Sequence, residues 1–219
     1  MVLCLGAVSS WSQSYPPPFP REAAQKLFEN ERVAVWDVTW PKGLPSAMHQ
    51  HPVDQLSITL RGGSVRVTRL GGAPAVSESQ PGKVVFTPQG TIHMEEGVSE
   101  IPQRKIMLQL KSLGPPVTAA SGVPGAFPRE GAVKLLENDR VIAWDFTWQR
   151  GQTIGPHGNV GDSVMVFLEG GTIRSISDQN GSKDTAVRAG EVMYSIHGGD
   201  ARTEEAIQGS PRAIVVELK

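Results

Sequence analysis

Apolar and polar residues alternate with a period of two over several short stretches of this chain. From Arg32 to Trp40, one face carries Ala34, Trp36, Val38 and Trp40, and the other Val33, Val35, Asp37 and Thr39. A period of two is the mark of a strand, since successive side chains point to opposite sides. Gln55 to Leu60 alternates as well, and the Gly62-Gly63 pair that follows it reads as a tight hairpin turn. Val84 to Thr87 and Lys105 to Lys111 are further short strands, and a single helical turn is expected near Glu22 to Phe28. Many short strands punctuated by glycine and proline predict an all-β sandwich or barrel rather than alternating strands and helices.

The pattern repeats. Phe19-Pro20-Arg21-Glu22 recurs as Phe127-Pro128-Arg129-Glu130, Trp36-Asp37-Val38-Thr39-Trp40 as Trp144-Asp145-Phe146-Thr147-Trp148, and Leu60-Arg61-Gly62-Gly63 as Leu168-Glu169-Gly170-Gly171. The offset is 108 residues with no gap, from Phe19 through to the paired ends Leu110-Lys111 and Leu218-Lys219. A fixed period of this kind means repeated structural units. The units are residues 19–111 and 127–219, joined by a Gly- and Pro-rich linker over 112–126 and preceded by an arm over 1–18.

Composition narrows the function. Across 219 residues the formal net charge is −1, which gives no electrostatic case for nucleic acid or an anionic membrane. The single cysteine, Cys4, excludes a disulfide framework and a thiolate zinc site. The apolar run Met1 to Val8, leaving through Ala7-Val8-Ser9, is like the end of a secretory signal peptide, although it lacks the positive flank. Export to the periplasm or outside is therefore the expectation. The alternative is a cytoplasmic chain whose first residues form a strand on a barrel edge. No segment is long enough to span a bilayer as a helix.

The candidate chemistry lies in the first repeat. Gly43, five residues, His49, Gln50, His51, three residues, Gln55, six residues and Gly62 are followed by Gly82, five residues, Pro88, Gln89, Gly90, two residues and His93. This series resembles both signature motifs of the cupin superfamily, at the family's spacing. It departs from them at Gln55, where the family usually has Glu, and at Gly97, where it has Asn. The resemblance implies two tandem double-stranded β-helix (jelly-roll) barrels and one divalent transition metal, drawn from Fe, Mn, Co, Ni, Cu and Zn. Residues two apart on a strand point the same way, so His49 and His51 project together, and His93 arrives from a distant strand. Gln55 is either a weak neutral ligand or a hydrogen-bonding neighbour. Three neutral imidazoles and a neutral amide leave the ion's charge uncompensated, which favours an anionic, chelating substrate.

Ser57 and Thr59 share the inward parity of Gln55 and are candidate pocket residues. Glu95 shares parity with His93 and is the candidate general base or extra ligand; the favoured reading places Glu95 and Glu96 at a solvated loop edge. Leu56, Ile58 and Leu60 face the other way and need a cover, from the other barrel, a second subunit in a homodimer, a local loop or the N-terminal arm.

The second repeat is an internal control. At the fixed offset His49 becomes His157, His51 becomes Asn159, Gln55 becomes Ser163 and His93 becomes Ala201, while Gly151, Gly170, Gly190 and Gly198 persist. One imidazole and one amide do not hold a transition metal firmly. His197 is the other imidazole, expected on a turn. The resemblance implies a metal-dependent dioxygenase acting on a small oxygen-rich organic substrate. The alternatives are a cupin isomerase or lyase and a non-catalytic small-molecule or metal-binding protein.

Overall fold

The computed structural model describes residues 14–114 and 123–219. The apolar run Met1 to Val8 and the middle of the linker lie outside them. Within them the chain is all-β, and no helix is long and apolar enough to cross a membrane.

The first half contains β1 (Ala24–Glu29), β2 (Val33–Trp40), β3 (His49–Gln50), β4 (Asp54–Arg61), β5 (Gly63–Arg69), β6 (Ala75–Ser79), β7 (Val84–Thr87), β8 (Ile92–Gly97) and β9 (Gln103–Leu110). They form two sheets in a jelly-roll arrangement, ordered β1-β2-β9-β4-β7 and β3-β8-β5-β6. The second half contains β10 (Val133–Glu137), β11 (Val141–Thr147), β12 (Thr153–Asn159), β13 (Ser163–Ser177), β14 (Gly181–Val187), β15 (Val192–Ser195) and β16 (Gly198–Leu218). The order β10-β11-β16-β13 repeats β1-β2-β9-β4, with β15 on β13 as β7 lies on β4.

Three expectations are corrected. The segment around Glu22 to Phe28 is mostly the edge strand β1, whose register against β2 slips between Lys26 and Phe28. That slip breaks the alternation and gives the sequence its helix-like spacing. Gly62-Gly63 is not a hairpin turn, because β4 and β5 do not pair with each other. It is a corner where the chain crosses from one sheet to the other. A Cβ on Gly62 would lie 2.8 Å from the Ser79 carbonyl, and one on Gly63 2.8 Å from Ser99 Oγ. In the second half, β13 runs through the equivalent Gly170-Gly171 as one strand.

The third correction concerns the repeat. Val65 pairs with Gly97 and Arg69 with His93, whereas Ile173 pairs with Ala206 and Ser177 with Arg202. Here the offset is 109, not 108. It returns to 108 by β9 and its counterpart, since Gln55 faces Gln109 and Ser163 faces Glu217. The motif His93-Met94-Glu95-Glu96-Gly97 therefore matches Arg202-Thr203-Glu204-Glu205-Ala206.

The alternating faces of the first sheet do two jobs. Val33, Val35, Leu56, Ile58, Ile106 and Leu108, all fully buried, form one core cluster with Val141, Ala143, Val164, Val166, Ile214 and Val216 of the second half. Leu60 packs against it, so the second half is the cover that Leu56, Ile58 and Leu60 require. Each such side chain removed from water contributes about 1.5–3 kcal/mol before the cost of ordering it. The join is nearly two-fold: Arg32 reaches Asp162 at 3.5 Å, and their repeat-mates Arg140 and Asp54 meet at 3.1 Å. The opposite face of the same strands looks into the first half and carries Trp36, Val38 and Trp40 together with the site residues.

Candidate metal centre

Strand pairing brings the histidines together. His49 on β3 sits directly across from His93 on β8, and His51 follows β3 by one residue. The three rings are buried and their ligating nitrogens lie within 4.8 Å of one another, the only group of this kind among the described residues. His51 Nε2 and His93 Nε2 are 3.0 Å apart. Two donors each about 2.0–2.1 Å from one ion and at right angles would sit about 3 Å apart, so the donor set fits a transition metal. His49 Nδ1 lies 3.0 Å from the Ala47 carbonyl, which holds the proton on Nδ1 and frees Nε2 to ligate.

The electrostatics favour the ligating form. Burial lowers the pKa of His49, despite the Ala47 contact, and burial also lowers that of His93. For His51, burial together with His93 and His49 brings it down to about 4. All three imidazoles are thus neutral at neutral pH, as metal binding requires.

Beside the histidines lies a cavity of about 510 Å3, with His93, Gln55, Ser57 and Glu95 in its wall. The Gln55 side chain is 2% exposed and its Oε1 has no hydrogen-bond partner, a buried acceptor free to meet an ion or a ligand. Thr59 has the expected inward parity but is fully buried and does not line the cavity.

Glu95 overturns the loop-edge reading. It lies on β8, facing the cavity, and its Oε2 accepts from Trp40 Nε1 at 3.1 Å and lies 3.8 Å from Arg21. Burial pushes its carboxyl up, but the net direction is down: His93 and His49 contribute once acid protonates them, and Arg21 and Lys105 keep the group ionised at neutral pH. Glu96 points away and pairs with Arg66 at 2.7 Å. The parity argument was the signal that found Glu95. Lys105, which also lines the cavity, was missed because a lysine on an alternating strand reads as solvent-facing.

The second half keeps the scaffold and loses the site. His157 Nδ1 lies 2.9 Å from the Gly155 carbonyl, as His49 does from Ala47. Its cross-strand partner is Arg202, which stands where His93 stands. The fixed-offset assignment to Ala201 is therefore corrected. Arg202 donates to Asn159 Oδ1 at 3.0 Å and to Glu204 Oε1 at 2.9 Å. Glu204 also accepts from Trp148 Nε1 at 2.9 Å, so it is the counterpart of Glu95. Burial pushes Glu204 up, yet His157 and Arg202 beside it hold it well below the usual carboxylate range. A guanidinium stands where His93 stands; the space it lines with Trp148 and Met165 is about 20 Å3, room for a single water, and it also lines a separate cavity of about 590 Å3 with Ser175, Ser177, Lys183 and Asp200. His197 is a clamp rather than a ligand: its backbone N–H donates to Asp162 at 2.8 Å, as Gln89 does to Asp54 in the first half.

No family model matches the sequence, and no curated protein sequence matches it. Solved structures do. AerE from Microcystis aeruginosa is 12% identical, with 95% of this chain and 100% of that one covered at a TM-score of 0.67. A cupin 2 conserved barrel domain protein from Leptotrichia buccalis is 13% identical, with 92% of each chain covered and a TM-score of 0.59. A salicylate 1,2-dioxygenase from Pseudaminobacter salicylatoxidans is 12% identical, with 85% and 71% covered and a TM-score of 0.60. These likenesses concern the fold alone, and with the strand orders above they make this chain an all-β protein of the cupin fold.

Proposed function

We propose that the chain is a two-barrel cupin with one furnished site, a metal-dependent dioxygenase-like enzyme acting on a small oxygen-rich organic substrate. The observation that carries this reading is the convergence of three neutral, buried imidazoles on one point at the wall of a cavity of about 510 Å3. His49, His51 and His93 hold one divalent transition metal, and Gln55 tunes it or hydrogen-bonds to its ligands. A bound ion supplies Lewis-acid polarisation and, if redox-active, the electron chemistry of oxygen insertion. The chain's own part is to bind and orient the substrate, to exclude water, and to hold Glu95 as an ionised carboxylate near the reacting centre. A cavity of this size is within the roughly 300–1,000 Å3 range of small-molecule sites.

The test is oxygen uptake by the Fe(II)-loaded protein against a panel of small diketones and catechols. Uptake that requires both metal and substrate, and is lost in His49→Ala, is the expected result. An absence of turnover with every metal offered would replace the enzyme by a non-catalytic binding protein.

A further inference from the structure

Part of the first-half cavity wall is polar where the equivalent positions of the second half carry hydrocarbon. Ser57, Ser79 and Lys105 align by strand register with Met165, Val187 and Ala213. Val187 and Ala213 join Trp144, Phe146 and Trp148 in one buried core, with Met165 packed against it. The same strand order thus forms without any of the polar groups, so the scaffold does not require them. They also carry a cost. Gln55 Oε1 and Gln103 Oε1 line the cavity wall and are buried without partners. A buried, unpaired polar atom is destabilising, because it has lost its water without gaining a partner.

The unmatched groups have a chemical character. Gln103 Nε2 donates to the Gly63 carbonyl at 2.8 Å, which fixes the amide and leaves Oε1 as an acceptor in need of a donor. Two residues along β9, on the same face, stands Lys105. Among the described residues its ammonium makes no hydrogen bond or ion pair; it lies 5.6 Å from the centroid of the Trp40 ring. The one carboxylate in the wall, Glu95, is already engaged by Trp40 and Arg21. Burial lowers the Lys105 pKa and Glu95 raises it, the balance being downward, so an anion next to the ammonium would relieve a standing cost. A carboxylate for Lys105 and a hydroxyl for Gln103 describe one kind of ligand.

We propose that Lys105 and Gln103 form a recognition subsite for a small hydroxylated carboxylic acid, the ammonium pairing with the carboxylate and the Gln103 carbonyl accepting from the hydroxyl. The proposal rests on the three-histidine reading only for the far end of the ligand, which reaches toward His93 and Gln55.

The experiment is calorimetric titration of the whole, metal-loaded chain with benzoate, the three hydroxybenzoates, lactate, malate and the corresponding amides. The proteins compared are the wild type, Lys105→Ala and Gln103→Ala. Lys105→Ala copies Ala213 at the equivalent position, so it is compatible with the fold. At least one acid should bind at least about tenfold tighter than its amide, in keeping with a hydrogen bond to a charged group. Lys105→Ala should erase that preference while retaining its metal by elemental analysis. Gln103→Ala should erase the advantage of a hydroxybenzoate over benzoate. Equal binding of acids and amides, no binding of any acid, or a preference that survives Lys105→Ala overturns the proposal. Titrations repeated after chelation separate the two readings: Lys105-dependent acid binding without metal upholds the subsite even if the metal centre fails.

Discussion

At the scale of single residues, the account turns on what stands opposite His49 and its repeat-mate His157. In one half it is an imidazole, in the other the guanidinium of Arg202. His93→Arg should therefore copy a side chain that this scaffold already accepts. The variant is expected to keep its circular dichroism spectrum and lose its metal, and metal retained at wild-type occupancy would refute the ligand assignment. Acid should do the same reversibly. A lowered pKa means that protons displace metal from His51 only as the pH falls below its ordinary 6.5 toward about 4. Folded-state stability should fall over that same window, because the unfolded chain takes up the proton first. Metal occupancy by equilibrium dialysis should be full at pH 7 and fall only as the pH passes below about 4. The histidines were legible in the sequence because their spacing obeys strand parity. Arg202 was not, because a one-residue insertion before it is cancelled before β9's counterpart, so a constant offset hides the slip. The matching Glu-Glu pairs at 95–96 and 204–205 were the signal that could have revealed it.

At the scale of elements, period-two alternation located β2, β4, β7 and most of β9, and missed what depends on partners distant in sequence. Gly62-Gly63 looked like a turn because local composition cannot say which strands pair. Gly97 shows the same dependence on neighbours. A Cβ there would lie 2.3 Å from the Trp40 carbonyl oxygen and 2.6 Å from that of Pro41, so the asparagine of the family motif does not fit. Gly97→Asn should destabilise the protein by about 1–3 kcal/mol, the usual cost of overpacking, measured by denaturant unfolding. The counterpart, Ala206, is 3% exposed and already carries a Cβ, so changing it to Gly tests the contrast. An unchanged midpoint for Gly97→Asn would contradict the packing described.

At the scale of the whole molecule, the two halves share one core across their join, and the paired bridges Arg32–Asp162 and Arg140–Asp54 repeat across it. Neither half keeps its apolar face covered without the other. Thermal unfolding of the metal-free chain should be one cooperative transition, and Ile58→Ala should lower it as a whole by about 2–5 kcal/mol. Two resolved transitions would show halves that fold independently. The outward face of β4, with Leu56, Ile58 and Leu60, made this join legible in outline, while the inward faces of the two halves differ in polarity. The second half has traded Ser57, Thr59 and Lys105 for Met165, Phe167 and Ala213 and holds an Arg202–Glu204 pair where the first half has His93 and Glu95.

The central claim is that the repeated scaffold carries one metal centre and not two. Elemental analysis of the purified full-length chain, loaded with excess divalent metal and desalted, reads this directly. The account predicts one transition-metal ion per chain in the wild type and none in His93→Arg. Zero or two ions per wild-type chain would contradict it.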